Sequence, residues 1–192
     1  MLSGLAEWLA ARGAEVVVTR EPGGTPLGDR LRALFVEPGL TIDPLAEAFV
    51  VNASRAEHVA RVIEPALREG RFVLCDRFAD ATIAYQGYGR GVDIASLRAL
   101  ARIATSGREP DLTFLLDVSA AVSQTRLTGR QRATGVGADR LEREGTAFHE
   151  RVRAGYLALA RGDPRFVTLD GVRPPDAVLQ AATAVLAEKY GV

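Results

Sequence analysis

Apolar residues at Leu2, Leu5, Ala6 and Leu9 form a helical stripe that Gly13 stops. Val16, Val17 and Val18 then run unbroken, as buried parallel strands do. The two patterns keep alternating. Leu27 to Phe35 has helical spacing, and Asp43 caps a longer helix to about Leu67, with a kink expected at Pro65 and a stop at Gly70. Phe72 to Cys75 reads as a second strand, followed by helical stretches at about 79–85 and 93–105. Leu112 to Leu116 is a third strand ending in Asp117, and a helix is expected at about 120–127. The segment 128–139 is aperiodic and rich in Gly and Arg. A helix at about 141–160, a strand at Phe166 to Leu169 and a helix from Pro174-Pro175 to near Tyr190 complete the chain. Strands separated by helices predict an α/β fold, a three-layer parallel sheet with helices on both faces.

The 192 residues are expected to form one domain, 1–192, with a small insert at about 128–140. A net charge of +0 argues against a nucleic-acid partner held by bulk charge. Of the 24 basic residues only Lys189 is a lysine. Arginine is the better bidentate reader of phosphate, although so complete a bias also fits genome composition and a solvated surface. The single cysteine, Cys75, cannot form an internal disulfide and reads as a small buried hydrophobe in a reducing compartment. No apolar run is long enough for a membrane span, and Met1 to Leu9 lacks the features of a signal peptide, so a cytoplasmic location is expected.

Chemistry concentrates where strands end. Asp76-Arg77 closes the second strand, at the edge where open α/β sheets bind ligands. Its carboxylate can hold Mg²⁺ and its guanidinium a phosphate, or the two can brace loops as an ion pair. Thr19 to Thr25, TREPGGT, places Arg20 and Glu21 beside glycines that admit a close ligand, or makes a tight turn. Arg55 lies between Val51 and Val59 on a helix face and reads as a ligand partner or a snorkelling side chain. Tyr85 can pack flat on a sugar and Gln86 can read a base edge, with core packing and a solvated amide as the plainer readings. Arg126, Arg130, Arg132 and Arg140 occur with three glycines in a segment that suits a cationic flap or a surface loop. His58 and His149 read as surface residues on helices.

Taken in order, TREPGGTPLG, SRAEHV, VLCDRF, AYQGYGRG, PDLTFLLDV and DRLEREG with FHERVRAGY resemble the bacterial thymidylate kinases from Leu5 to about Leu186. The resemblance implies a P-loop nucleoside monophosphate kinase fold. It implies transfer of the γ-phosphoryl of ATP, with Mg²⁺, to thymidine monophosphate (dTMP), giving the diphosphate for dTTP synthesis. By the same resemblance Arg77 holds the acceptor phosphate and Arg55 the thymine edge. Thr82 and Gln86 line the base and sugar pocket, and Tyr85 sits under the sugar. Asp76 and Glu21 organise Mg²⁺, and Arg126, Arg130 and Arg132 belong to a lid over ATP. A homodimer formed through helices is also implied. Val51 stands where the family usually has an aromatic that stacks on the base, which predicts weaker or altered base binding.

The phosphate-loop pattern G-x-x-x-x-G-K-[ST] does not occur in the sequence, and Met1 aligns inside the family's first helix. In the implied fold the strand before that loop is central, between the strands ending at Asp76 and Asp117. The expectation is a chain that folds poorly or pairs those two strands directly, since each buried unpaired backbone group costs about 1–3 kcal/mol. Impaired phosphoryl transfer follows. A non-catalytic nucleotide-binding protein and a kinase for another base are the alternatives.

Overall fold

The computed structural model describes residues 1–135 and 137–192; position 136, inside the expected lid, lies outside them. In chain order the elements are α1 (Leu2–Ala10), β1 (Val16–Arg20), α2 (Pro26–Val36), α3 (Pro44–His58), α4 (Glu64–Arg68), β2 (Phe72–Asp76), α5 (Ala79–Thr82), α6 (Ile94–Ala104), β3 (Thr113–Asp117), α7 (Ala120–Thr134), α8 (Thr146–Gly162), β4 (Phe166–Asp170) and α9 (Pro175–Tyr190). π-helical segments lie at Val59–Ile63 and Ile83–Gly89. Side-chain caps start four of the helices. Thr25 accepts from Gly28 N, Asp43 from Leu45 N and Ala46 N, Asp93 from Ser96 N and Ser119 from Val122 N.

The strands are parallel, as expected, but they form two pairs instead of one sheet. β1 lies beside β2, with Val16 opposite Phe72 and Arg20 opposite Asp76. β3 lies beside β4, with Thr113 opposite Phe166 and Asp117 opposite Asp170. Among the described residues β2 and β3 do not pair, so the expected direct pairing does not occur. An apolar cluster joins the two pairs. Leu5 and Trp8 of α1 and Val178, Ala182 and Leu186 of α9 pack against Leu74, Phe114, Val167 and Leu169. Arg165, just before β4, clamps Asp80 of α5 with bonds of 2.6 and 2.8 Å. With one neighbour each, the strands are only partly covered: Val18 is 50% and Leu116 40% exposed, against the expectation of fully buried strands.

Three element boundaries differ from expectation. The helix from Asp43 widens into a π turn at Val59–Ile63, just before Pro65. Pro65 has no N–H and its ring crowds the carbonyl of residue 61, so a wider turn relieves the clash. The segment expected to be aperiodic from residue 128 is helical to Thr134, where Gly135 (φ 68°) ends α7 in the left-handed region. The next helix starts at Thr146 rather than near 141. α8 and the Ile83–Gly89 segment pack closely because Gly155 has no side chain; a Cβ there would stand 2.7 Å from the Tyr88 ring.

Arg153 on α8 holds Asp117 through bonds of 2.7 and 2.9 Å, and this keeps the Asp117 carboxyl below its ordinary range. A lowered folded value means that the contribution is full above the unfolded value of about 3.9 and fades as pH falls through the folded one. The pair is partly exposed, so Asp117→Asn is expected to remove no more than about 1 kcal/mol at neutral pH. Acid-denaturation curves should show the difference between the two proteins closing below pH ~4.

Candidate active site

The site forms where β1 and β2 end. Glu21 N donates to Asp76 O at 2.9 Å, which ties the TREPGGT loop to the Asp76-Arg77 turn. Arg77 has φ 71°, left-handed backbone that an L side chain adopts at a cost. Its guanidinium lies 4.8 Å over the Tyr85 ring; burial works against its charge, and Tyr85, Tyr156 and Asp76 more than offset that, raising its pKa. Asp76 is exposed, and its carboxylate makes no hydrogen bond or ion pair among the described residues. Asp76 and Arg77 form no direct ion pair among the described residues, although the Asp76 charge favours the Arg77 cation.

Behind this turn is a polar interior. Glu21 is 2% exposed and both of its carboxylate oxygens are engaged. Oε2 accepts from Arg55 Nε at 2.7 Å and Oε1 meets His58 Nδ1 at 2.9 Å. His58 Nε2 in turn meets Thr19 Oγ1 at 2.7 Å. Because a carboxylate only accepts, Nδ1 carries a proton. Arg55 is fully buried, not snorkelling. Nη1 donates to Asn52 Oδ1 and Nη2 donates to Phe78 O and Thr82 Oγ1. His58, expected at the surface, has 0% exposure. The chain passes close over it at Gly24 (φ 80°), where a Cβ would lie 2.8 Å from the imidazole.

A second buried carboxylate, Glu47, is 0% exposed. It accepts from Gln86 Nε2 at 2.9 Å and pairs with Arg90 at 3.1 Å and with Arg140 Nη1. Arg90 also reaches Glu144 at 2.7 Å; burial works against its charge, and Glu144 and Glu47 more than offset that, raising its pKa. Arg140 Nε donates to Phe35 O at 3.0 Å, while its buried Nη2 has no partner among the described residues. Gln86 is thus a buried, bonded amide and not a solvated one. Neither Glu47 nor His58 stood out as a site residue in the sequence. The available signal was the stripe Glu47, Asn52, Arg55 and His58, polar residues at helical spacing on one face of α3 that all turn inward.

Seven of the expected residues, Glu21, Val51, Arg55, Arg77, Thr82, Tyr85 and Gln86, line one cavity of about 40 Å³ together with Phe35 and Leu141. The arginines of the expected lid are not part of it. Arg126 and Arg132 are exposed on α7, and Arg130 pairs with Glu142 at 2.6 Å. Burial, reinforced by Glu21 and Asp76, pushes the Cys75 thiol well above its usual range, so it is no nucleophile. Burial also raises the Tyr156 hydroxyl, with the Arg77 charge opposing. Among the described residues no three His, Cys, Asp or Glu side chains gather as a metal site. Glu21 is committed to Arg55 and His58, which leaves Asp76 as the carboxylate that fits Mg²⁺.

A family model described as thymidylate kinase matches residues 1–182. The chain belongs to the thymidylate kinase family. It is 50% identical over 188 residues to the thymidylate kinase of Desulfovibrio desulfuricans, covering 94% of this chain and 86% of that protein. Against the thymidylate kinase of Deinococcus radiodurans the identity is 46% over 190 residues, covering 98% and 89%. The thymidylate kinase of Thermosynechococcus vestitus is 49% identical over 173 residues, covering 90% and 70%. The chain is thus placed among phosphotransferases of nucleotide biosynthesis. No described helix is long and apolar enough to cross a membrane.

Proposed function

We propose that the cavity beside Arg77 is the acceptor site for dTMP, with ATP·Mg²⁺ as phosphoryl donor. One observation carries the reading: Arg77, Tyr85, Thr82, Arg55 and Gln86, scattered over the sequence, line a single cavity at the carboxyl end of β2. The guanidinium of Arg77 takes the acceptor phosphate bidentately. The Tyr85 ring, fixed edge-on against Phe148 and Tyr156 at 6.1 and 6.3 Å, supports the sugar. Arg55 has four of its five N–H groups engaged, which leaves one on Nη1 for a carbonyl of the base. Asp76 is the carboxylate for Mg²⁺, which neutralises phosphate charge when bound. A phosphate oxygen of dTMP then forms the new P–O bond as the bond to ADP breaks, a reaction governed by positioning and charge. Phe35 and Leu141 must part to admit the nucleotide, since the cavity of about 40 Å³ has room for water alone.

The donor side is less complete. Lys189 lies on α9 and donates to Asp111 O at 2.7 Å, before β3, at the opposite end of the strand from Asp117. It does not serve the phosphates, and this favours a second reading of the 192-residue chain as a nucleotide-binding protein with little turnover. A coupled assay with dTMP and ATP·Mg²⁺ is expected to run below the ~1 s⁻¹ that marks the low end for kinases. Calorimetry with dTMP alone is expected to show saturable binding. Failure to bind dTMP contradicts the acceptor-site reading, and turnover at kinase rates removes the second.

The homodimer implied by the family has a surface available. Leu27 and Leu34 on α2 and Leu45 and Phe49 on α3 are exposed, Phe49 at 55%, and the two helices pack side by side. Phe49→Glu is expected to shift a dimer to monomer in sedimentation velocity.

A further inference from the structure

We propose that Glu47 is a positioning residue for base selection: by holding the Gln86 amide in one orientation it presents an acceptor, Gln86 Oε1, to a base that carries a hydrogen on N3. The inference rests on the acceptor-site reading above and adds what sets its preference among pyrimidines. A carboxylate has no proton to give, so the Gln86 atom 2.9 Å from Glu47 Oε2 is the NH₂ group. The amide cannot turn over without facing oxygen to oxygen. Glu47 is held in turn by Arg90 and Arg140, whose N–H groups only donate, so its oxygens serve as acceptors. Gln86 is 2% exposed and lines the cavity, and its Oε1 has no partner among the described residues. That oxygen is the polar atom left for an occupant. Arg55 supplies the complementary donor. Acceptor and donor together match the N3–H and O4 of thymine or uracil. Cytosine presents the reverse pattern, a bare N3 and an amino group, and leaves both protein groups unsatisfied. Val51 supplies no aromatic face, so selection falls on these polar edges.

Calorimetry of the full chain with dTMP, dUMP, dCMP and N3-methyl-dTMP tests the base edge without any variant. dTMP and dUMP are expected to bind, and dCMP and N3-methyl-dTMP to bind at least about tenfold more weakly. Equal binding of dTMP and dCMP overturns the inference and leaves the acceptor site standing; binding of no monophosphate overturns both. Glu47→Gln then tests the positioning role. It offers Gln86 either a donor or an acceptor, so the preference for dTMP over dCMP is expected to fall at least about fivefold. The preference for dTMP over thymidine, which reads the phosphate, is expected to stay. Glu47→Asp, still acceptor-only, is expected to restore base preference. A purely structural role lowers all affinities together and overturns the proposal. If Glu47→Gln does not fold, nitrogen-15 NMR of the unaltered chain decides. The Gln86 NH₂, assigned by its loss in Gln86→Leu, is expected to be protected from solvent exchange before nucleotide is added, and rapid exchange overturns the proposal.

Discussion

Glu47→Leu is expected to lose about 3–5 kcal/mol of stability, the usual cost of removing one partner from a buried ion pair. Against a total of about 5–15 kcal/mol this is enough to populate the unfolded state. The cost arises because Glu47, at 0% exposure, is the shared acceptor of Arg90, Arg140 and Gln86. Arg90 keeps Glu144, but Arg140 keeps only the carbonyl of Phe35. An unpaired guanidinium at 9% exposure has little water to turn to. Leucine matches the volume of the lost side chain and restores none of these bonds. Urea denaturation is the measurement, and a midpoint shift equivalent to less than about 1 kcal/mol would mean that the cluster relaxes into solvent.

Arg77→Gly separates stability from binding. Arg77 sits at φ 71°, and left-handed backbone costs an L residue about 1–2 kcal/mol that glycine avoids. Glycine loses roughly 0.5–1 kcal/mol through greater freedom in the unfolded chain. The thermal midpoint is therefore expected to hold or rise. Affinity for dTMP is expected to fall by about tenfold to a hundredfold, since a hydrogen bond to a charged group contributes about 1.5–3 kcal/mol. Affinity for thymidine, which lacks the phosphate, is expected to change little. A variant that loses stability and keeps dTMP affinity would place the acceptor phosphate elsewhere.

Most of the element order was legible in the sequence, because alternating strand and helix patterns survive translation into three dimensions residue by residue. Asp76-Arg77 was legible for the same reason: a charged pair directly after an apolar run marks a strand end. The split into two strand pairs was not, since pairing joins residues far apart, such as Val16 and Phe72. Glu47 drew no notice and His58 was misread by type. Charged and histidine side chains are usually solvated, and only the partners brought in by other elements, Thr19, Glu21, Gln86 and Arg140, account for their burial. The extension of α7 to Thr134 was masked by its glycine and arginines, whose weak periodicity resembles a loop.

A crystal structure of the 192-residue chain with dTMP tests the central claim most directly. The account predicts the phosphate on the guanidinium of Arg77, the sugar over Tyr85 and the base edge between Arg55 and Gln86, with Phe35 and Leu141 moved apart. A nucleotide bound away from Arg77, or a base facing Val51 with no contact to Arg55 or Gln86, would contradict it.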